Sequence, residues 1–381
     1  MLEVTPKEDD NMTEFATLQD FLTQTEHGPY VSIYLSKLPH QAFAAISLAL
    51  RHQIEHAQTV MSEVFPDTDW QPYAGQLETI FADPARFNGI TKGIGVLCDG
   101  VQAALFLMDE AVADGAMVTS QPQILPLLAD HQARYDFDLL VLQRDRIALF
   151  HHDGDTLLEV ILPDDAPRTL VEALGEEQGG PQLNSIRQGS SQVSYHGHGD
   201  KSAEQLTDTK RYFQVVDAYL IQNRDFPLAL WGLPQNIALF RSLSRNPDLS
   251  PVELALSSND LSSDVMARVA VTLTSDFDSQ ARHDLLAQIN AAHDRKCLRT
   301  GLGDITHAVA VHAVDHLLIQ TGARVKGQIK AGELVTEGLK AQHNNVLNDL
   351  AIAVVAQGGT VSLLPKPQLP EPAVAITRYA L

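Results

Sequence analysis

The chain has 381 residues, 44% hydrophobic and 20% charged, a balance that fits an ordinary globular protein with two or three separately cored domains. Its formal charge of −21 argues against general coating of nucleic acid, because an acidic surface repels phosphate. The two cysteines, Cys98 and Cys297, exclude a disulfide framework or a CxxC metal motif; with a polar Met1–Phe15 stretch unlike a signal peptide and no run near the ~20 apolar residues of a membrane helix, a reducing cytoplasm is expected.

The predicted elements fall into three parts. Tyr30 to Leu35 alternates like a strand. Gln41 to Val64 has helical apolar spacing without Gly or Pro, and Trp70 to Phe81 reads as a second helix with Pro72 in its first turn. Gly93 to Leu97 and Val101 to Met108 form an apolar pair around Asp99-Gly100, a hairpin signal. These residues predict an N-terminal α/β domain over 1–133.

The second part opens with three short strand-like runs, Asp138 to Gln143, Arg146 to His152 and Thr156 to Leu162, joined by turn-compatible residues into a meander. A polar, Gly- and Gln-rich stretch follows to Lys201. Then come a helix over 203–222, a strand at Leu228 to Trp231 and a helix from Pro234 to Leu243. The expected result is a middle domain over 134–248, a mixed sheet with helices packed on it.

Arg245-Asn246-Pro247-Asp248 through Pro251 reads as a linker. Beyond it, Pro251 to Leu261 and Ser263 to Leu273 look helical, and Asp276 to Arg295 reads as a long helix. Another helix runs from Gly303-Asp304 to Val314. His316 to Gln320 and Val325 to Ile329 read as strands flanking Thr321-Gly322. Asn344 to Ala356 is a helix closed by Gly358-Gly359, and Thr360 to Leu364 and Ala373 to Tyr379 finish as strands. This predicts a C-terminal helix–sheet–helix sandwich over 249–381. The fold class is therefore α/β of the mixed α+β kind, in three domains.

The stretch Ser194-Tyr195-His196-Gly197-His198-Gly199-Asp200-Lys201-Ser202 feeds the helix that carries Lys210, Arg211, Tyr212 and Phe213. Glycines let a backbone approach a ligand, and a helix N-terminus offers unpaired N–H groups to phosphate. His196, Gly197, His198, Gly199, Lys201, Lys210 and Arg211 are the candidate RNA-contacting residues. A second basic group, Arg282, Arg295, Lys296, Arg299, Arg324, Lys326 and Lys330, marks the last third and suits docking to one RNA site. His196 and His198 would face the same way on an extended strand, with Asp200 or Asp153 nearby, but no further ligand has motif spacing. No metal and no cofactor are expected. The Gly197–Ser202 run lacks the Gly-Lys-Ser/Thr ending of a triphosphate loop, and Asp200 would repel a phosphate there.

The order of these landmarks resembles the bacterial branch of the archaeo-eukaryotic peptide-release-factor superfamily, relatives of class-1 release factors and Pelota. Four segments carry the resemblance: Phe137–Leu142 with Arg146–Phe150; His196–Gly199 before Arg211-Tyr212-Phe213 and Val216-Asp217; Ala308–Ile319; and Gly358–Val361 with Ala375–Tyr379. Together they span about residues 120–381. The resemblance implies an RNase-H-like middle domain and a C-terminal domain like that of kink-turn-binding ribosomal proteins.

It also implies a Gly-Gly-Gln loop that helps water attack the peptidyl-tRNA ester. In this chain Gly199-Asp200-Lys201-Ser202 stands where the family has Gly-Gly-Gln-Ser, which leaves Lys201 in place of the glutamine. A second placement is Gly179-Gly180-Pro181-Gln182, whose proline fixes φ and has no N–H to donate. Gln188 and Gln192 are isolated alternatives. Gln182, Gln192 and Lys201 are thus the weak catalytic candidates. An RNase-H-like fold also raises nuclease chemistry, which needs several acids around a divalent metal; Asp138 and Asp145 are present, but strand and turn acids are usually solvated.

Three functions follow, in order: a release-factor-like protein associated with the ribosome or tRNA in translation or ribosome rescue; a peptidyl-tRNA ester hydrolase with a remodelled loop; and a non-catalytic, stress-related interaction scaffold. None calls for a membrane or DNA as partner.

Overall fold

In the computed structural model, residues 18, 21–23, 28–175, 199–369 and 371–380 are described, those at 199–204 by their backbone alone. They form two compact units, one of residues 134–281 and one that combines 1–133 with 282–381. Among the described residues no helix is long and apolar enough to cross a membrane.

The N-terminal part is built on an antiparallel sheet of β1 (Tyr30–Ser36), β2 (Gly93–Cys98), β3 (Ala103–Met108) and β4 (Gly115–Thr119), in the order β3-β2-β1-β4. Alternation along β1 sends Val31, Ile33 and Leu35 against α1 (Phe43–Val64) and α2 (Gln71–Phe81). Tyr30 and Tyr34 point the other way, into a cluster completed by α3 (Leu125–Gln132). The β2–β3 hairpin turns at Gly100, whose φ is +86° and whose absent Cβ would meet the Tyr73 ring at 2.9 Å. Glycine is required there on both counts.

The unit 134–281 holds a five-stranded mixed sheet, in the order β7-β6-β5-β8-β9, of β5 (Asp136–Leu142), β6 (Ile147–Asp153), β7 (Leu157–Glu159), β8 (Leu228–Gly232) and β9 (Leu249–Leu254). The first three pair antiparallel as the expected meander, and β8 and β9 add in parallel. Leu140, Leu142, Leu149, Leu228 and Leu230 pack on one face against the helices after the meander. These are α4 (Leu170–Leu174), α5 (Gly199–Asn223) and α6 (Pro234–Leu243). The opposite face buries Phe137, Leu139, Val141 and Trp231 against Met266, Val269 and Leu273 of α7 (Ser263–Asp294).

This sheet corrects the boundary expected at 248/249. Residues read as linker and then helix form β9, which pairs with β8, and the start of α7 seals the same core. Pro251 lies within β9, which is tolerable because β9 is an edge strand with no second neighbour needing that N–H. The two helices expected at 263–273 and 276–295 are one continuous helix.

The C-terminal part contains β10 (Leu298–Arg299), α8 (Leu302–Ala310), β11 (Val314–Gln320), β12 (Gln328–Lys330), β13 (Glu333–Val335), α9 (Leu339–His343), α10 (Val346–Ala356), β14 (Thr360–Leu364) and β15 (Ala373–Thr377). Its main sheet runs β10-β15-β11-β14. One face packs on α8 and α10, the other on the last turns of α7, which is the expected sandwich of helix, sheet and helix. The strand expected at Val325–Ile329 does not pair with β11; its end forms β12, which pairs with β13.

The N- and C-terminal parts, expected as separate domains, are joined by side-chain amides, three of them buried. Gln132 and Leu363 exchange two hydrogen bonds, Nε2 to the carbonyl at 2.9 Å and N–H to Oε1 at 2.7 Å. Asn348 Oδ1 accepts from Ile124 N–H and its Nδ2 donates to Pro122 O, both at 2.7 Å. Gln123 Nε2 donates to Asn344 Oδ1 at 3.3 Å. Buried amides left without partners are costly, so these side chains commit the two parts to one arrangement.

Candidate functional site

Helix α5 is fixed to the sheet by its 3.6-residue apolar pattern. Tyr212, Phe213, Val216 and Leu220 are buried at 1% exposure or less. The Tyr212 hydroxyl donates to Pro167 O at 3.0 Å and Arg168 O at 2.8 Å, and burial pushes its phenol well above the ordinary range. Lower down, the Asp217 carboxylate accepts from Ser244 Oγ at 2.5 Å and Arg245 N–H at 2.8 Å. With this face anchored, Lys210 and Arg211 stand exposed on the opposite side. Neither pairs with an acid among the described residues.

The sequence-predicted site divides along the same helix. Gln182, Gln192, His196, Gly197 and His198 lie outside the described residues. Gly199, Asp200 and Lys201, expected as loop, form the first turn of α5. A backbone N–H in that first turn has no partner within the helix, but the same turn carries Asp200, whose charge opposes an anion. Lys210 and Arg211 lie about nine to ten residues further on, roughly 15 Å along the axis at 1.5 Å per residue.

The acids considered for nuclease chemistry are engaged or isolated. Asp138, with a fully buried side chain, takes Arg224 Nε on Oδ2 at 2.6 Å and Arg224 Nη2 on Oδ1 at 2.7 Å. His151 Nδ1 lies 3.0 Å from the same Oδ1. The Phe226 ring covers both partners, with centroid distances of 4.4 Å to His151 and 5.3 Å to Arg224. Asp145 is exposed in the β5–β6 turn beside Arg146. Both Asp138 oxygens thus serve a structural ion pair. Among the described residues no three His, Cys, Asp or Glu side chains are placed to hold a metal.

His151 and His152 point to opposite faces, as adjacent strand residues must. His152 is buried, stacks on Phe137 at 4.7 Å and has Nδ1 2.7 Å from Tyr135 O; desolvation lowers its pKa. Arg224 and Phe226 went unread in the sequence because they lie in the turn after α5 and become partners of β5 and β6 only in three dimensions.

The basic group of the last third separates onto different elements. Arg295, Lys296 and Arg299 sit at the end of α7 and the start of β10, where Arg299 Nη1 donates to Lys296 O at 3.0 Å. Arg324 Nη2 and Lys326 Nζ reach α9, at His343 O (3.1 Å) and Gln342 Oε1 (3.4 Å). Lys340 of that helix lies over the Phe65 ring at 4.5 Å.

With this geometry in view, the match to known proteins falls on the middle unit. The description of bacterial archaeo-eukaryotic release factor family 6 fits residues 135–276. Among curated sequences nothing matches this chain. Among solved structures it is similar to Pelota of Archaeoglobus fulgidus, with 12% identity, TM-score 0.34 and coverage of 75% of this chain and 79% of that one. It is also similar to Dom34 of S. cerevisiae, a translation termination-like factor in RNA quality control that interacts with Hbs1, with 10% identity, TM-score 0.39 and coverage of 79% and 76%. The archaeal translation termination factor aRF1 has 12% identity, TM-score 0.24 and coverage of 96% and 98%. These overlays are loose.

Proposed function

We propose, from the match of residues 135–276 to bacterial archaeo-eukaryotic release factor family 6, that this chain acts in translation by docking on the ribosome or on ribosome-bound tRNA. The observation that carries the reading is the pair Lys210 and Arg211, exposed on α5 while Tyr212 and Phe213 anchor the same turn in the core. A rigid helix presents these cations, and the Gly/His segment enters at its N-terminus. Phosphate contacts supply most of the affinity for nucleic acid, and a chain of charge −21 must make them at a local patch. The middle sheet, with β6 antiparallel within an otherwise parallel core of β5, β8 and β9, serves as the RNase-H-like scaffold for that helix. Such work belongs in the cytoplasm.

The catalytic reading has less support. Ester hydrolysis by the family's loop needs a mobile backbone and a glutamine, and the residues aligned with that loop, Gly199 to Lys201, lie in a helical turn with Asp200 and Lys201 in the key places. Docking therefore ranks above peptidyl-tRNA hydrolysis, and also above a pure protein scaffold, which would leave the cations of α5 without a role.

Co-sedimentation with ribosomes at low and high salt tests the proposal. The chain is expected in the ribosomal fraction at low salt and to be released as salt rises. Absence from that fraction at low salt, with no shift of isolated ribosomal RNA, would defeat it.

A further inference from the structure

The unit formed by 1–133 and 282–381 contains a cavity of about 470 Å³, inside the ~300–1,000 Å³ range of small-molecule sites. Met108, Val112, Ala116, Met117, Ala129 and Leu363 give it an apolar wall. Polar groups sit at two depths. Glu110 and Asp114 are exposed at the rim. Asp114 is held in place by one oxygen, Oδ1, which accepts from Ser36 N–H at 2.6 Å. Gln123, only 3% exposed, also lines the cavity. Its Nε2 donates to Thr119 Oγ1 and Asn344 Oδ1, both at 3.3 Å, while its Oε1 accepts no hydrogen bond among the described residues. This oxygen is not sealed from solvent, so it stays open to a donor from water or from a ligand in the cavity. Arg324 is the cation of the wall, and its Nη2 is turned to His343 O at 3.1 Å.

We propose that this cavity binds a small organic ammonium compound whose apolar body carries a hydrogen-bond donor at its far end. The ammonium meets Glu110 and Asp114 at the rim. The body lies on the apolar wall, and the distal donor satisfies Gln123 Oε1. An anion of the same shape would face two carboxylates and is excluded by charge. The site is independent of the docking helix α5, so failure of one proposal leaves the other standing.

Tyramine is the test probe for the full chain, by saturation-transfer NMR and calorimetric titration. Phenethylamine, which lacks the distal hydroxyl, and 3-(4-hydroxyphenyl)propionate, which reverses the charge, are the comparison ligands. Saturable tyramine binding is expected, with both comparison ligands about tenfold weaker or more, as the loss of one good polar contact implies. The double substitution Glu110→Gln with Asp114→Asn keeps the acceptor for Ser36 N–H and removes the charge; it is expected to weaken tyramine by a similar factor. Ala113→Trp, at an exposed position of the cavity lining, is expected to block entry. Thermal unfolding unchanged in both variants shows that the fold is kept. No saturable binding of tyramine, equal binding of the propionate, or indifference of tyramine to both variants would overturn the proposal.

Discussion

Arg224 closes on Asp138 through two short hydrogen bonds, although one residue follows a helix and the other lies 86 positions earlier on the central strand β5. Asp138 is wholly buried, whereas the Arg224 side chain retains 21% exposure, so the arginine is the natural member to remove. Losing one partner of a buried pair strands the other charge, at a cost of about 3–5 kcal/mol. Arg224→Ala is expected to destabilise the protein by that order in urea unfolding. Arg224→Lys should recover only part of it, because an ammonium cannot make the forked contact.

The buried amides between the N- and C-terminal parts give a second expectation. Asn348→Ala removes an acceptor for Ile124 N–H and a donor to Pro122 O, both buried. Two stranded backbone groups cost roughly 2–4 kcal/mol. Hydrogen exchange should then rise together around residues 122–125 and 346–350. Faster exchange confined to one side would mean the two parts open separately.

Asp349 supplies a pH dependence. Its Oδ2 accepts from Ile329 N–H at 3.0 Å and Asn344 Nδ2 at 2.8 Å, while its buried Oδ1 has no partner among the described residues. Burial raises the carboxyl from 3.8 to about 6. The folded state therefore holds a proton that the unfolded state gives up between those values. Stability from this group is present below about pH 4 and is lost as pH rises through about 6, a change of about 2–3 kcal/mol. Asp349→Asn should flatten that part of the stability profile and gain most relative to the unsubstituted chain above pH 6. A parallel profile for the two proteins would refute the assignment.

The exposed pair on α5 separates function from folding. Lys210→Glu with Arg211→Glu touches no buried group, so stability should move by no more than about 0.5 kcal/mol per site. Ribosome binding should weaken strongly, and the log–log salt slope of what remains should fall by about one per cation removed. Tyr212→Phe is the converse control. It strands Pro167 O and Arg168 O, at about 1–2 kcal/mol, and should leave binding by the folded protein unchanged.

Much of this fold is readable where local pattern and tertiary role agree. Phe137–Leu142 and Arg146–Phe150 alternate around a turn and pair as expected, and the spacing of Tyr212, Phe213, Val216 and Leu220 identifies the buried face of α5, hence the exposure of Lys210 and Arg211. Strand β9 was hidden by Pro247 and Pro251, which mark a linker in one reading and an edge strand in the other; the alternation Ser250, Val252, Leu254 was the available signal. The union of the two chain ends had no local signal, because Gln132 and Leu363 pair across 231 positions. The cluster around Asp138 is half legible: the strand pattern marks the acid, nothing local marks Arg224, and their pairing makes Asp138 structural. Gln182, Gln192 and His196 to His198 lie outside the described residues, so the reading of that segment stays with its sequence.

The central claim is that α5 presents its cations to the RNA of the ribosome or of tRNA bound to it, and photo-crosslinking from position 211 measures this most directly. A crosslinking residue there should label ribosomal RNA or tRNA in tRNA-bearing ribosomes, whereas one at Val271, 73% exposed on α7 of the same unit, should not. Equal labelling from both positions, or none from 211 in ribosome-bound protein, would contradict the account.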